Sequence, residues 1–354
     1  MLNPAAFAEE LRFLLSHSPL SLGLPVEVEL IANPTAGGFV RTKYADRRAA
    51  ELEVLHQLAA VLPERDGEVR VRLHLTERVG HARELARAAF SEARDRGYPP
   101  ALRLLVTAGG DGTASDSVDA LMGLAPAERD RWLVLRAPLG TGNDGMEGRD
   151  LGAALGRLLG PCGVSRRKGL LARPNPAGGK SPIWSFNIAS VGVDAFVADL
   201  TNRLKSVFPG DSYKFWVDVA AVTYDFVWPS RPMKVSASGG DGERSIEEGC
   251  LLLAMGTSGH RQYGSNKKIL PGEGNVCFIP KMSLLRKLAV KGPLSSGGHA
   301  AFPEVKLFSA DRLVVDYPEA LLFQADGEVT RLEAADFPLE LELVPEAYSV
   351  LERS

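Results

Sequence analysis

Cysteine is scarce in this chain. Cys162, Cys250 and Cys277 are three in 354 residues, odd in number and far apart. That excludes a disulfide framework and any paired-cysteine metal site, and it fits free thiols in a reducing compartment. An excess of positive charge is also missing: 41 Lys and Arg stand against 44 Asp and Glu, a net charge of −3, which leaves no general affinity for nucleic acid. The opening MLNPAAFAEELRFLLSHSPLSLGLP has neither a basic leader nor an uninterrupted apolar stretch, so no signal peptide or spanning helix is expected there and the reading is a cytoplasmic protein. Internal repeats and low-complexity linkers are absent. What remains, 45% apolar and 24% charged residues, is the composition of a globular protein. The length exceeds what one hydrophobic core usually holds, so two domains are expected.

The most informative stretch is Leu102 to Asp116, LRLLVTAGGDGTASD. A short apolar run ended by glycines predicts a buried strand leaving a sheet into a tight loop. From Ala114 to Leu121 the sequence suits a helix, with Ser115 and Asp116 placed to cap its first turn. Strand, glycine loop and helix N-terminus together form an anion site, because glycine lets the backbone approach a phosphate and the first helical N–H groups point at it. Asp111 would repel a bare phosphate, which points to a metal-bearing nucleotide. The tetrapeptide alone is also ordinary turn chemistry.

Its neighbours argue for more. Phe7 to Leu15 is a leading helix by apolar spacing. Val26 to Ala32, VEVELIA, is a first strand that stops at Asn33-Pro34-Thr35-Ala36-Gly37-Gly38. Tyr44 to Leu62 is a helix, Val69 to Leu75 a strand, His81 to Phe90 a helix and Trp132 to Arg136 another strand, running into the loop Ala137 to Asp144, APLGTGND. Strands alternating with helices imply right-handed crossovers and a parallel sheet. Three small-residue loops then leave one end of that sheet, where α/β proteins bind ligands.

Beyond the helix Leu151 to Leu159 the texture changes. Leu170 to Arg173 and Ile183 to Ile188 read as paired strands, and Tyr213 to Phe226 as a helix. Lys234 to Ala237, Gly249 to Met255, Asn275 to Ile279, Val305 to Phe308, Asp311 to Val315 and Ala320 to Gln324 are short apolar or alternating runs between turn signals. That rhythm predicts a mainly β sandwich. In LLFQADGEVT, residues 321–330, Asp326 and Glu328 would share one side of a strand and supply a general base; Asp-Gly is equally a hairpin signal. Met282 to Lys291, MSLLRKLAVK, sets leucines beside cations, as a membrane-surface helix or an ordinary surface helix would.

NPTAGG, TERVGHA, GGDGT, PLGTGND, FNIASVGVDA and DGE, in that order from about Val26 to Val344, resemble the diacylglycerol kinase catalytic-domain family of bacterial lipid kinases, to which sphingosine kinases are related. The resemblance implies a doubly wound α/β nucleotide-binding domain, here residues 22–147. A mainly β sandwich substrate domain, 148–344, follows, with the active site in the cleft and the segment 345–354 returning to the first domain. It implies ATP- and Mg²⁺-dependent transfer of a γ-phosphoryl group to a lipid hydroxyl at a membrane surface. Asn33, Thr35, Gly37 and Thr76 would lie beside the nucleotide, Gly109, Gly110, Asp111, Gly112 and Thr113 would cradle the phosphates, and Thr141 would close the pocket. Asp111 and Asp144 would belong to the Mg²⁺ network, and Asp326 or Glu328 would be the catalytic base.

The chain also departs from the family pattern. Where members often carry an acidic loop for a structural Mg²⁺, residues 271–275 are PGEGN, with Glu273 alone. The Tyr-Gly segment is Tyr263-Gly264-Ser265-Asn266-Lys267, preceded by Ser258-Gly259-His260-Arg261, whose His260 and Arg261 read as a surface loop or as contacts for an anionic head group. Asp116 stands where many relatives have Glu. Two other readings stay open: a kinase of a soluble substrate such as an NAD kinase, whose Gly-Ser-Thr-Ala-Tyr stretch is missing here, and a non-catalytic nucleotide sensor. The acceptor and a homodimer are equally open.

Overall fold

The computed structural model describes residues 2–21, 23–64, 67–140, 143, 150–204, 224, 228, 231–263 and 267–353. They form two compact units, residues 1–167 with 345–354, and residues 168–344.

The first unit is built on a parallel sheet. Strands β1 (Val26–Ala32), β2 (Val69–Leu75), β3 (Leu102–Gly109) and β4 (Trp132–Pro138) lie in the order β2-β1-β3-β4. One face is closed by helix α1 (Pro4–Ser16), by α3 (Ala45–Ala60), which follows the short α2 (Gly37–Val40), and by α7 (Leu151–Gly156). Phe7, Leu11, Leu55, Leu151 and Leu155 there meet Val26, Val28, Leu30, Leu104, Val106 and Leu135. Helix α1 starts at Pro4, ahead of the expected Phe7, because Asn3 Oδ1 accepts the Ala6 N–H at 2.9 Å and Pro4 presets its first turn. The other face carries α4 (His81–Asp95) and α5 (Asp111–Met122), with Phe90 edge-on to Trp132 at 4.9 Å between ring centres.

Helices on both faces bury every residue of β1. The alternation in VEVELIA, which suggests a half-exposed strand, therefore has another cause. Glu27 pairs with Arg103 at 3.1 Å. Glu29, fully buried, takes bonds from Arg72 Nε and His74 Nε2, both at 2.8 Å, with Arg96 at 3.9 Å. Burial pushes the Glu29 carboxyl up, but the His74 and Arg72 bonds outweigh it and hold the group below its ordinary value. The central helix also differs from expectation. It begins at Asp111 rather than Ala114, behind Gly110, and no side chain caps it. Asp116, one turn in, instead meets Arg83 of α4 at 3.0 Å.

The second unit is antiparallel. Strand β9 (Arg244–Gly256) pairs with β8 (Pro232–Ser238) along its first half and with both β7 (Ile188–Gly192) and β12 (Val276–Pro280) along its second. Strand β7 continues to β15 (Leu321–Ala325) and β16 (Glu328–Leu332), and β8 continues to β14 (Arg312–Asp316) and to the start of β17 (Leu339–Arg353). Inward residues of both branches, among them Met255, Val191, Phe323, Phe278, Val235, Leu313 and Leu339, share one core, which is the sandwich the spacing predicts. Near Ser349 and Val350, β17 pairs in parallel with Leu133 and Val134 of β4.

Two helices here have different histories in the sequence. Helix α8 (Val193–Leu204) is missed by the pattern reading, because the strand turns into it at Gly192 with no polar break. Gly192 has φ 93°, and a side chain there would strike the Leu251 carbonyl. Helix α9 (Leu284–Lys291) lies where the leucine spacing predicts. The helix expected over Tyr213 to Phe226 falls outside the described residues except for Tyr224.

Candidate active site

In the first unit, three loops meet where β1, β3 and β4 end. The chain leaves β1 toward β2 on one side while β3 lies on the other, so the loops surround the point where strand order reverses. After β1, Asn33 N–H donates to Ala108 O at 2.9 Å, and its own Oδ1 accepts from Thr35 N and Thr35 Oγ1 at 3.0 and 2.8 Å. This Asx-type turn sends the chain upward into Gly37 and α2. Gly38 N–H then donates to Leu139 O at 2.6 Å, and Leu139 N–H to Gly109 O at 3.0 Å. The loops after β1, β3 and β4 are thus joined through the backbone.

Glycine is required where they touch. A Cβ on Gly140 would stand 2.8 Å from Gly110 N, one on Gly38 2.7 Å from Leu139 O, and one on Gly109 2.6 Å from Thr113 Oγ1. Helix α5 starts at this junction behind the glycine N-cap Gly110, so its N-terminal N–H groups face the loops with the positive end of the helix dipole behind them. Asp111, its first residue, accepts the Asn143 N–H at Oδ2 over 2.8 Å. Asn143, at φ 69°, holds the third loop by bonding Gly140 through both ends of its amide. Thr76 is buried at the end of β2, its N–H on Ala32 O at 2.9 Å.

Asn33, Thr35, Gly37 and Gly109 to Thr113 are therefore brought together, with Thr76 beside β1. Thr141 and Asp144 lie outside the described residues. Asn143 is a residue that sequence reasoning missed. Its only signal is that asparagine tolerates positive φ.

The donor chemistry at Asp111 fits Mg²⁺. The ion takes hard oxygen ligands and is usually held by one or two carboxylates together with substrate phosphates. Among the described residues no group of three or more His, Cys, Asp or Glu side chains is placed to hold a metal. In the 271–275 loop, Glu273 meets His260 at 2.9 Å, while Asn275 is buried and bonds Gly256 O and Ala310 O. Arg261 bonds Ser258 Oγ at 2.9 Å. His260 is thus engaged by the 271–275 loop and Arg261 by Ser258 of its own loop.

The second unit holds the Asp-Gly-Glu segment, and of the two readings open for it the structure takes the hairpin. Asp326 and Glu328 do not sit two apart on one strand. Ala325 pairs with Glu328 across a two-residue hairpin loop, and Asp326 and Gly327 both have positive φ, 51° and 96°. That is the geometry Asp-Gly favours. The Asp326 carboxylate turns back onto the chain before β7. Oδ1 accepts from Ser185 Oγ at 2.7 Å, Asn187 N at 3.0 Å and Ile188 N at 3.1 Å, while Oδ2 accepts from Phe186 N at 2.6 Å. Glu328 is exposed at the start of β16.

Helix α8 clamps the same turn from both sides. Gly327 N–H donates to Gln324 Oε1 at 2.9 Å, and Gly327 O accepts from Asn202 Nδ2 at 3.1 Å. Gln324 in turn donates to Ser190 Oγ at 2.8 Å and to Asp194 Oδ2 at 3.2 Å, and Ser190 Oγ donates to Asp194 at 2.7 Å. Burial pushes the Asp194 carboxyl up, opposed by the Ser190 bond, the charge of Lys267 and the Gln324 bond. Ser185, Asn202 and Gln324 lie outside the quoted motifs, and Asn187 and Asp194, though inside FNIASVGVDA, are given no role by it, since each acts through a tertiary hydrogen bond.

Residues 27–156 match the family described as the diacylglycerol kinase catalytic domain. The resemblance carried by the motifs is thereby met over that stretch. No curated protein matches the sequence. Among solved structures, one described as a "putative diacylglycerol kinase" from Bacillus anthracis str. Sterne is 16% identical, with a TM-score of 0.59, covering 92% of this chain and 94% of its own. A second so described from that organism is 18% identical at a TM-score of 0.57, covering 92% and 96%. A third, described as a diacylglycerol kinase, is 15% identical at 0.53 with the same coverage. At these identities the likeness establishes the two-domain fold.

Proposed function

We propose that this protein transfers the γ-phosphoryl group of ATP to the hydroxyl of a lipid. The observation that carries the reading is the junction of three glycine loops at the open N-terminus of α5, within the stretch that matches a kinase domain. The backbone N–H groups there bind phosphate oxygens, and the contacts Gly38–Leu139, Leu139–Gly109 and Asn143–Asp111 fix the loops before the nucleotide arrives, so little is reorganised during reaction. Asn33 and Thr35 hold the first loop against the nucleotide. Thr141 and Asp144 keep the roles that the motif PLGTGND implies for them. Asp111 and Asp144, together with the phosphates, would hold Mg²⁺, which would supply neutralisation of the charge on the transferred group.

The lipid oxygen bonds to phosphorus as the bond from phosphorus to the ADP oxygen breaks, and the hydroxyl proton passes to a carboxylate of the Asp326–Glu328 pair. Four donors already occupy the lone-pair directions of Asp326. Its oxygens are thereby committed to holding the turn. Glu328 is exposed and takes the proton, while Asp326 fixes the turn that presents it.

The test is transfer of label from γ-labelled ATP with Mg²⁺ to a panel of lipids and soluble nucleotides, run beside Glu328→Gln. An organic-phase product that disappears in the variant is expected, and it names the acceptor. Label found only in soluble nucleotide replaces the reading with a kinase of the NAD-kinase kind. ATP binding without transfer leaves a nucleotide sensor.

A further inference from the structure

Helix α9 is mounted inside out. An ordinary amphipathic surface helix buries its leucines and leaves its lysines in water. Here Leu284, Leu285 and Leu288 are 47%, 81% and 47% exposed, while Lys287 and Val290 are the residues turned inward. Val290 packs with Leu252, Ile269, Leu270 and Ile279. The mounting is firm. Arg286 makes a paired contact with Glu304, at 2.7 and 2.9 Å, and its guanidinium lies over the Phe302 ring at 4.6 Å. The leucines are therefore held outward by the fold and not by a floppy end.

We infer that α9 is a lipid-docking element that rests its leucine face in the surface of a bilayer containing anionic lipid. Charge selects that occupant. From Pro280 to Glu304 the chain carries Lys281, Arg286, Lys287 and Lys291 against Glu304 alone, which pairs with Arg286. With Lys287 turned inward, it is Lys281 and Lys291 that flank the leucine face, in a protein whose net charge is −3. Leucines that enter the acyl boundary beside cations that meet the headgroups are what an interfacial helix needs. A second copy of this chain fits less well. Eight residues span about 12 Å of helix, too short to bury the roughly 1,200 Å² of a stable dimer on its own, and pairing would bring two basic segments together.

The inference names the surface on which a lipid-hydroxyl kinase would meet its acceptor, but its observations are independent of that chemistry. The experiment is co-sedimentation of the full chain with vesicles, without ATP, using phosphatidylcholine alone and phosphatidylcholine mixed with phosphatidylglycerol. The double variant Leu285→Ser, Leu288→Ser is run beside it, with melting temperature and gel filtration as controls. The mixed vesicles are expected to bind the protein, less so at high salt, and the variant to bind roughly tenfold or more weakly with its melting temperature unchanged. Failure of the protein to bind mixed vesicles overturns the inference, and so does binding that survives in the variant. A dimer that becomes monomer in the variant without vesicle binding overturns it in favour of self-association. Phosphoryl transfer to a lipid dispersed in detergent micelles is measured on the same samples. Its absence counts against the kinase reading and leaves the docking result standing.

Discussion

Gly140 packs directly on Gly110, so closely that a Cβ on the former would stand 2.8 Å from the backbone nitrogen of the latter. This contact brings the loop after β4 against the N-terminus of α5, where the N–H groups proposed to bind phosphate emerge. Neither glycine can yield without moving backbone. Gly140→Ala is expected to cost about 1–3 kcal/mol of stability and to weaken ATP binding at least tenfold, measured by titration calorimetry. Unchanged nucleotide affinity would separate this junction from the nucleotide site.

The two carboxylates of the hairpin should respond differently to loss of charge. Asp326→Asn turns an amide NH₂ toward backbone N–H donors at Phe186, Asn187 or Ile188. It should cost about 1–3 kcal/mol, read as a lower melting temperature. Glu328→Gln alters an exposed side chain, so its stability should stay within about 0.5 kcal/mol, while kcat falls roughly 10²–10⁴-fold. Full activity in Glu328→Gln would remove it as the proton acceptor.

Gln324 connects the buried Asp194 to the Gly327 N–H. Gln324→Met keeps the volume and deletes those bonds. Because the residue acts through the turn, the expected result is a lower kcat with KM for ATP unchanged, as P–O chemistry is impaired and nucleotide binding is not. A rise in KM for ATP at constant kcat would contradict this positioning role.

Two buried groups contribute in a defined direction to the dependence of stability on pH. His299, fully buried with Nε2 on Ile269 O at 3.1 Å, is pushed below its ordinary 6.5 by burial. The unfolded chain then binds the proton first. Its contribution is complete above pH 6.5 and shrinks as pH falls from there toward the lower folded value. His299→Gln should flatten denaturant midpoints across that window. Glu29, held below its ordinary 4.5 despite its burial, contributes fully above that value and loses its contribution as pH falls through the folded one. Glu29→Ala strands the Arg72 and His74 donors and should cost about 3–5 kcal/mol near neutrality.

The sequence by itself determined the elements and the chemistry of the first loop set. Apolar or alternating runs between turn signals placed β1, β2, β3 and β4 to within a residue or two, because strand burial and turn chemistry are local properties. The GGDGT and PLGTGND motifs likewise marked loops whose small residues let the backbone come close, which is the basis of the proposed phosphate site. Tertiary structure decided what was left. It covered both faces of the sheet and thereby turned Glu27 and Glu29 into buried partners of Arg103, Arg72 and His74. It made Asp326 a hairpin residue bonded to Ser185 through Ile188, some 140 residues earlier in the chain, and it placed α8 against that hairpin. It also turned the leucines of α9 outward. Each of these depends on which distant segment supplies the hydrogen bond or the packing surface, and periodicity carries no record of that.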